Sequence, residues 1–223
     1  MNINRAQAMF GGMAAAKISH GREDLEEGRY VVLLQSILNM ESTITFKPYI
    51  KFNGVVLYPL CDGANRTPDM DAFGGSPAGS SAEWVVNQSL YFKNEIKTTI
   101  VRCLGMTEDT IKEMEKGMTQ EEINAEFFQY CLAMTGEEVQ GSETVRTGPG
   151  IFDNTTTVEI RAVKTEAKPK ANAEDNKPGK VYTNVRVLRK VPLSEVAEKA
   201  TEAMISQAFG SFDNFANLLE AEG

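Results

Sequence analysis

Apolar and polar positions alternate along some stretches of this chain and recur every three to four residues along others. The two periods divide it into strands and helices. Gly28 breaks an acidic run, and Tyr30–Met40 then reads as a long first strand, apolar enough to be buried on much of both faces. In Ile44–Leu60, Asn53-Gly54 separates two runs of β-branched and aromatic residues, which predicts a hairpin on a type I′ turn. Folding about that turn would pair Phe52 with Val55, Ile50 with Leu57 and Tyr49 with Tyr58. Phe46, Ile50, Phe52, Val55 and Leu57 would form its core face, with Lys47, Tyr49, Lys51 and Tyr58 on the other.

The period then changes. Phe92, Ile96, Ile100 and Leu104 recur every four residues and predict a helix over Tyr91–Leu104, closed by Gly105. Thr107 opens a second helix that ends at Gly117. Thr119 and Glu122 form a capping-box pattern for a third, whose apolar face holds Ile123, Phe127, Cys131 and Met134. Alternation returns in Thr155–Lys164, with Val158, Ile160 and Ala162 inward. It returns again in Val181–Val191, with Val181, Val185 and Val187 inward and Tyr182, Arg186 and Lys190 on the opposite face. Pro192 ends that strand. Ser194 caps a helix through Ala208 that Gly210 stops, and Phe212, Phe215, Leu218 and Leu219 share one side of a last amphipathic piece. That side either packs on its own domain or docks in a partner's groove.

Between these elements lie three polar links, Cys61–Ala82, Gly136–Asn154 and Lys168–Lys180. Long loops of the first kind are usually functional or disordered. Trp84 flanks it, suited either to partial burial or to stacking a base. The organisation expected is an N-terminal arm (1–23), either a poorly ordered terminus or an arm that docks on a neighbouring subunit in a homo-oligomer, a body (24–192) with a helical insertion around 91–134, and an acidic helical tail (193–223).

Charge sharpens this picture. The 223 residues carry a formal net charge of −8, which argues against a uniformly basic nucleic-acid binder. The charge is uneven, however. Thr155–Val191 holds nine Lys or Arg against four acids, and Pro192–Gly223 one Lys against six acids. A basic strand region followed by an acidic end suggests a surface for an anion and a tail repelled from it or competing with it.

Three widely spaced cysteines, Cys61, Cys103 and Cys131, form no CxxC pair and read as reduced thiols of a cytoplasmic protein. No apolar run suits a signal peptide or a membrane span. The single histidine, His20, leaves no His-based triad or His-rich metal site, and neither a P-loop nor a strand-linked GxGxxG occurs. Asp69 and Asp71 are neighbours on a Gly/Ser/Pro loop without a third ligand. The expectation is a protein that is not an enzyme, with no catalytic residue, metal or cofactor.

What remains is binding chemistry. Rings and cationic tips recur together on predicted strands: Tyr49 and Tyr58 beside Lys47 and Lys51, then Tyr182 beside Arg186 and Lys190, with Arg161 on the neighbouring strand. Tyrosines stack bases and lysines or arginines neutralise phosphates, although an ordinary cross-strand tyrosine pair with solvated lysines has the same pattern.

The order of elements resembles the OB-fold single-stranded DNA-binding proteins of tailed bacteriophages. Gly28-Arg-Tyr-Val-Val-Leu-Leu34, Tyr91-Phe-Lys-Asn-Glu-Ile96 with Cys103-Leu-Gly105, and Tyr182–Pro192 carry the likeness. It covers most of Asp24–Pro192. The resemblance implies an α+β chain, mainly β: an OB-fold-like, five-stranded, partly open barrel with a helical insertion and a C-terminal helical tail. It implies sequence-independent binding of single-stranded DNA in phage DNA replication, recombination or repair, in the cytoplasm of the infected cell. Lys47, Tyr49, Lys51, Tyr58, Trp84, Arg161, Tyr182, Arg186 and Lys190 are the expected contacts. The tail, through Phe212, Phe215, Leu218 and Leu219, would meet replication or recombination proteins. The competing expectation is a structural, scaffold or virion-assembly protein that uses the same sheet and final helix without binding nucleic acid.

Overall fold

A computed structural model of the chain describes residues 25–41, 43, 48–60, 78–87, 93–166 and 181–222. Its centre is a five-stranded antiparallel sheet in the order β3-β2-β1-β6-β7. The strands are β1 (Gly28–Glu41), β2 (Pro48–Leu60), β3 (Ser81–Asn87), β6 (Thr157–Glu166) and β7 (Val181–Val191). Helices α1 (Lys93–Leu104), α2 (Glu108–Glu115) and α3 (Gln120–Thr135) come between β3 and β6, followed by a small hairpin of β4 (Glu137–Gln140) and β5 (Glu143–Arg146). After β7 come α4 (Leu193–Lys199), α5 (Glu202–Phe209) and α6 (Phe212–Glu222). The class is α+β, as the periodicities imply.

The expected hairpin at Asn53-Gly54 is absent. Pro48–Leu60 is one unbroken strand, and the real hairpin is β1 with β2, joined by the connection that follows Glu41. Asn53 pairs with Ser36 and Gly54 with Leu34 across the sheet. Gly54 is needed for a different reason from a turn. A Cβ there would lie 2.5 Å from Val32 Cγ1 and 2.6 Å from the Leu33 carbonyl oxygen, so the glycine lets two backbones approach at an irregular register. The missing turn also reverses a face. In a continuous strand Tyr49, Lys51, Asn53, Val55 and Leu57 all point one way, and Ile50, Phe52 and Val56 the other.

Each face of the sheet carries a buried core, which explains why the middle of β1, Tyr30–Leu34, is apolar at every position. One face carries Tyr30, Val32, Leu34, Ile50, Phe52, Val56, Trp84, Val158, Ile160 and Val187 and packs on Ile100 and Cys103 of α1 and Met134 of α3. The other carries Val31, Leu33, Val55, Leu57, Tyr58 and Leu60 and packs on Val196, Ile205, Phe209 and Phe215 of α4–α6. We call these the insertion face and the tail face. Each fully buried Leu, Ile, Val or Phe contributes about 1.5–3 kcal/mol, so the C-terminal helices are part of the sheet's second core rather than a detached tail.

Three bulges bend the strands. The extra residues are Leu57 in β2, Gln35 in β1 and Leu188 in β7. The edge strands β3 and β7 bring Cα atoms within 8 Å of each other without joining in the ladder. Beside that gap α1 lies along β7, and Arg102 Nη1 donates to the Val187 carbonyl at 2.6 Å, occupying an acceptor on the strand's open side.

Local signals place the helices well. Thr119 Oγ1 accepts from the Glu122 N–H while a Glu122 carboxylate oxygen accepts from the Thr119 N–H, the reciprocal cap expected. The helix expected from Ser194 to Ala208 is two. Ala200 is extended, and Thr201 Oγ1 accepts from the Met204 N–H to start α5. The link expected over Gly136–Asn154 contains the β4–β5 hairpin, which begins after Gly136 caps α3 at φ +66°; a Cβ there would sit 2.3 Å from the Gly148 carbonyl oxygen.

Candidate nucleic-acid interface

Strand register defines three rows across the tail face. The first is Leu60–Arg29–Arg161–Arg186, one residue from each of β2, β1, β6 and β7. The second is Tyr58–Val31–Glu159–Arg189, and the third Val55–Leu33–Thr157–Val191. The C-terminal helices cover the second and third rows. In the first, Arg161 and Arg186 are exposed and Arg29 half-buried.

Three arginines therefore stand side by side on adjacent strands. Like charges directly opposite one another destabilise a sheet unless something compensates them. Arg29 lies 3.9 Å from Glu159. Among the described residues Arg161 and Arg186 have no ion pair or side-chain hydrogen bond. With Arg29 partly compensated by Glu159 and the other two unpaired among the described residues, the row is a fork-shaped cation array that suits a phosphate or carboxylate oxygen.

One row away the charge is closed. Glu159 is fully buried and accepts from Arg189 Nε at 2.8 Å. The two terminal nitrogens of Arg189 donate to both oxygens of Glu195, at 2.6 and 2.7 Å, and Lys199 Nζ donates to Glu195 Oε1 at 2.7 Å. The Arg189 hydrogen bonds hold the Glu195 carboxyl down to about 2. The guanidinium of Arg189 is itself raised, chiefly by its bonds to Glu195. This cluster ties α4 to β6 and β7 and leaves no charge to offer a ligand.

At the far end of the same face the composition changes. Position 29 and Met40 are separated by eleven steps of β1, at most about 36 Å of extended strand. There Tyr49 is half-buried opposite Met40, and its hydroxyl donates to the Met40 sulfur at 3.8 Å. Lys51 sits between Leu38 and Val85 and pairs with Glu83 at 2.9 Å. Asn53 Nδ2 donates to Ser36 Oγ at 2.9 Å. Met40 and Val85 are exposed. This is a shelf of one ring, apolar side chains and a neutralised lysine.

The expected contacts thus separate into groups. Tyr49 and Lys51 share the shelf; Arg161 and Arg186 share the arginine row. Lys47 lies outside the described residues, as does the Tyr182 side chain, although the backbone of position 182 pairs with Thr165. Three expectations are corrected. Tyr58 is fully buried beneath the C-terminal helices, with burial raising its phenol first and Glu195 adding to it, so it presents no ring to a base. Trp84 is buried and stacked on Phe52 at 5.0 Å between ring centroids, on the insertion face. Lys190 does not share a face with Arg186. The Leu188 bulge shifts the register, so Lys190 pairs with Val158 of the insertion face, and its Nζ lies 3.5 Å from Glu222.

The expected partner-binding side of the last helix also divides. Phe215 is fully buried against Phe209, and Leu218 and Leu219 pack on the same core, because α6 folds back on its own sheet. Phe212 remains exposed.

Sequence reasoning passed over Arg29. Its signal was present: it precedes Tyr30, a core residue, so alternation sends it to the opposite face. Nothing in the sequence shows that it meets Arg161 across the ladder. Cys103 and Cys131 are free thiols, raised by burial to about 12 and about 11. Among the described residues no group of three or more His, Cys, Asp or Glu is placed to hold a metal, and no helix is long and apolar enough to cross a membrane. No protein-family model matches the chain, and no curated protein matches it in sequence.

Proposed function

We propose that this protein binds single-stranded DNA without sequence preference, through backbone phosphates met by Arg29, Arg161 and Arg186. The observation that carries the reading is the register of these three arginines on adjacent strands, two of them exposed and without an ion pair among the described residues. A polyanion that runs across the strands relieves their mutual repulsion and releases its own counterions. Tyr49 supplies a stacking ring at the shelf, where Met40 and Val85 extend the apolar contact.

The fold supports the same reading. Five antiparallel strands, three of them bulged, whose edges approach without pairing, with helices inserted after the third, suit an OB-fold-like, partly open barrel. Acidic side chains crowd the inserted helices, including Glu108, Asp109, Glu113, Glu121 and Glu122, and would repel the strand from that layer. A role in phage DNA replication, recombination or repair follows from the sequence resemblance alone.

The test is a binding isotherm of labelled oligo-dT at two salt concentrations, beside duplex DNA of equal length. Oligo-dT should bind more tightly than duplex, with affinity falling as salt rises. A flat salt response, or loss of no affinity in the Arg161→Glu/Arg186→Glu double variant, would remove the arginine row from the reading. An absence of binding at low salt would leave a structural or assembly role.

A further inference from the structure

Beyond the arginine row the central sheet narrows. The pairing of β1 with β6 ends at Gly28 and Ala162, whereas β6 and β7 stay paired as far as Glu166 and Val181. A two-stranded ribbon therefore carries the tail face past the row. The register of β6 with β7 is regular from Arg161 to Glu166. Val163 and Thr165 of β6 and Asn184 of β7 thus point the same way as Arg161 and Arg186. Val163 lies opposite Asn184. Val163 is half-buried, and Asn184 and Thr165 are exposed.

The row has two unlike flanks. On one lies the row Tyr58–Val31–Glu159–Arg189, beneath the C-terminal helices. The bonds from Arg189 to both oxygens of Glu195 fasten α4 there, and no ring can enter without breaking them. On the other flank lie Val163, Asn184 and Thr165, all uncharged. They offer nothing to a phosphate and leave an apolar surface beside two polar side chains.

A nucleic-acid backbone laid along the row crosses β1, β6 and β7, so its bases fall toward one flank or the other. The helix-covered flank is closed and the ribbon flank is open. Val163 is two residues from Arg161, about 7 Å along the strand, which is close to the reach from a nucleotide's phosphate to its base. The Asn184 carboxamide is already oriented. Its Nδ2 donates to Thr165 Oγ1 at 2.9 Å, which leaves its oxygen as an acceptor. Each of the four bases carries an N–H on its pairing edge, so a single acceptor contacts a base without selecting one.

We propose that the bases of a strand held on the arginine row lie on the ribbon flank, one of them against Val163 with an edge N–H donating to the Asn184 oxygen. This placement rests on the single-strand reading above and adds the side of the row on which the bases lie.

The experiment uses two octamers with the same phosphates, oligo-dT and a fully abasic strand, and follows side-chain signals by NMR in the full chain. Oligo-dT should shift the Val163 methyl and Asn184 amide signals, and the abasic strand should shift neither. The methyl of Ala197, exposed on α4, reports the opposite flank and should stay still with both. Asn184→Ala and the near-isosteric Val163→Thr should each weaken oligo-dT about threefold and leave the abasic strand unchanged, with thermal melting unaltered. Silent Val163 and Asn184 signals, a response at Ala197 in their place, or equal losses for the two octamers would each overturn the placement. Salt-dependent binding of both octamers that disappears in Arg161→Glu/Arg186→Glu would show that the arginine row survives such a result. Failure of both octamers to bind would remove both readings.

Discussion

Arg186 and Arg189 lie three residues apart on one strand and have opposite fates. Arg186 is exposed, unpaired among the described residues, and faces Arg161. Arg189 is gripped by a buried Glu159 and by both oxygens of Glu195. The Leu188 bulge between them keeps both on the tail face, one beyond the C-terminal helices and one beneath their edge. A count of basic residues treats them alike. What separates them is whether a carboxylate from another element closes over the guanidinium. The first is available for a ligand and costs the sheet some stability; the second holds a helix in place and has nothing left to give.

The widest test of this contrast is stability. Arg189→Ala would strand a buried carboxylate, and we expect a loss of about 3–5 kcal/mol in urea unfolding. Arg186→Ala should stay within about 0.5 kcal/mol of the parent. Similar values for the two would end the distinction.

Acid should act on the same cluster. The Glu195 carboxyl is lowered in the folded state, so its contribution is complete above the ordinary carboxylate range, near 4.5, and is lost as pH falls toward about 2. The urea midpoint should therefore drop through that window, and Arg189→Ala should drop less, having already lost the partner. An equal acid response in both proteins would place the acid sensitivity elsewhere.

Binding should reverse the ranking. Arg161→Ala and Arg186→Ala should each flatten the dependence of log affinity on log salt by about 1, with weaker binding to every sequence tested. Salt slopes that match the parent would mean that neither side chain meets a phosphate.

The smallest effects separate the two tyrosines. Tyr49→Ala should weaken oligo-dT by about 1–3 kcal/mol if its ring stacks a base. Tyr58→Phe should leave binding unchanged and stability the same or slightly higher, because the buried Tyr58 hydroxyl has no hydrogen-bond partner among the described residues. A binding loss in Tyr58→Phe would mean that its ring becomes accessible.

How much of this was legible beforehand depended on the range of the interaction. The capping box at Thr119 and Glu122, the glycine stops, and the alternation of Val158, Ile160 and Ala162 are read over four residues or fewer, and they stand as expected. Asn53-Gly54 is also a local signal, and it misled. A glycine required for close approach of two backbones has the same spelling as one required for a turn, and only the β1 partner distinguishes them. That one reading moved Val55 and Leu57 to the wrong face. Lys190 failed for a related reason, since a single bulged residue exchanges the faces of a strand.

By itself the sequence determined the class of most elements, their order, the helical insertion and the concentration of basic residues in β6 and β7. These follow from period, capping and composition, which are properties of neighbouring residues. The tertiary structure alone decided which cations meet. Arg29 and Arg161 are more than a hundred positions apart, and their meeting depends on strand register. It also decided that Tyr58, Trp84 and Phe215 are core, because a ring is buried or offered according to what packs over it, and the helices that cover the tail face come from the other end of the chain.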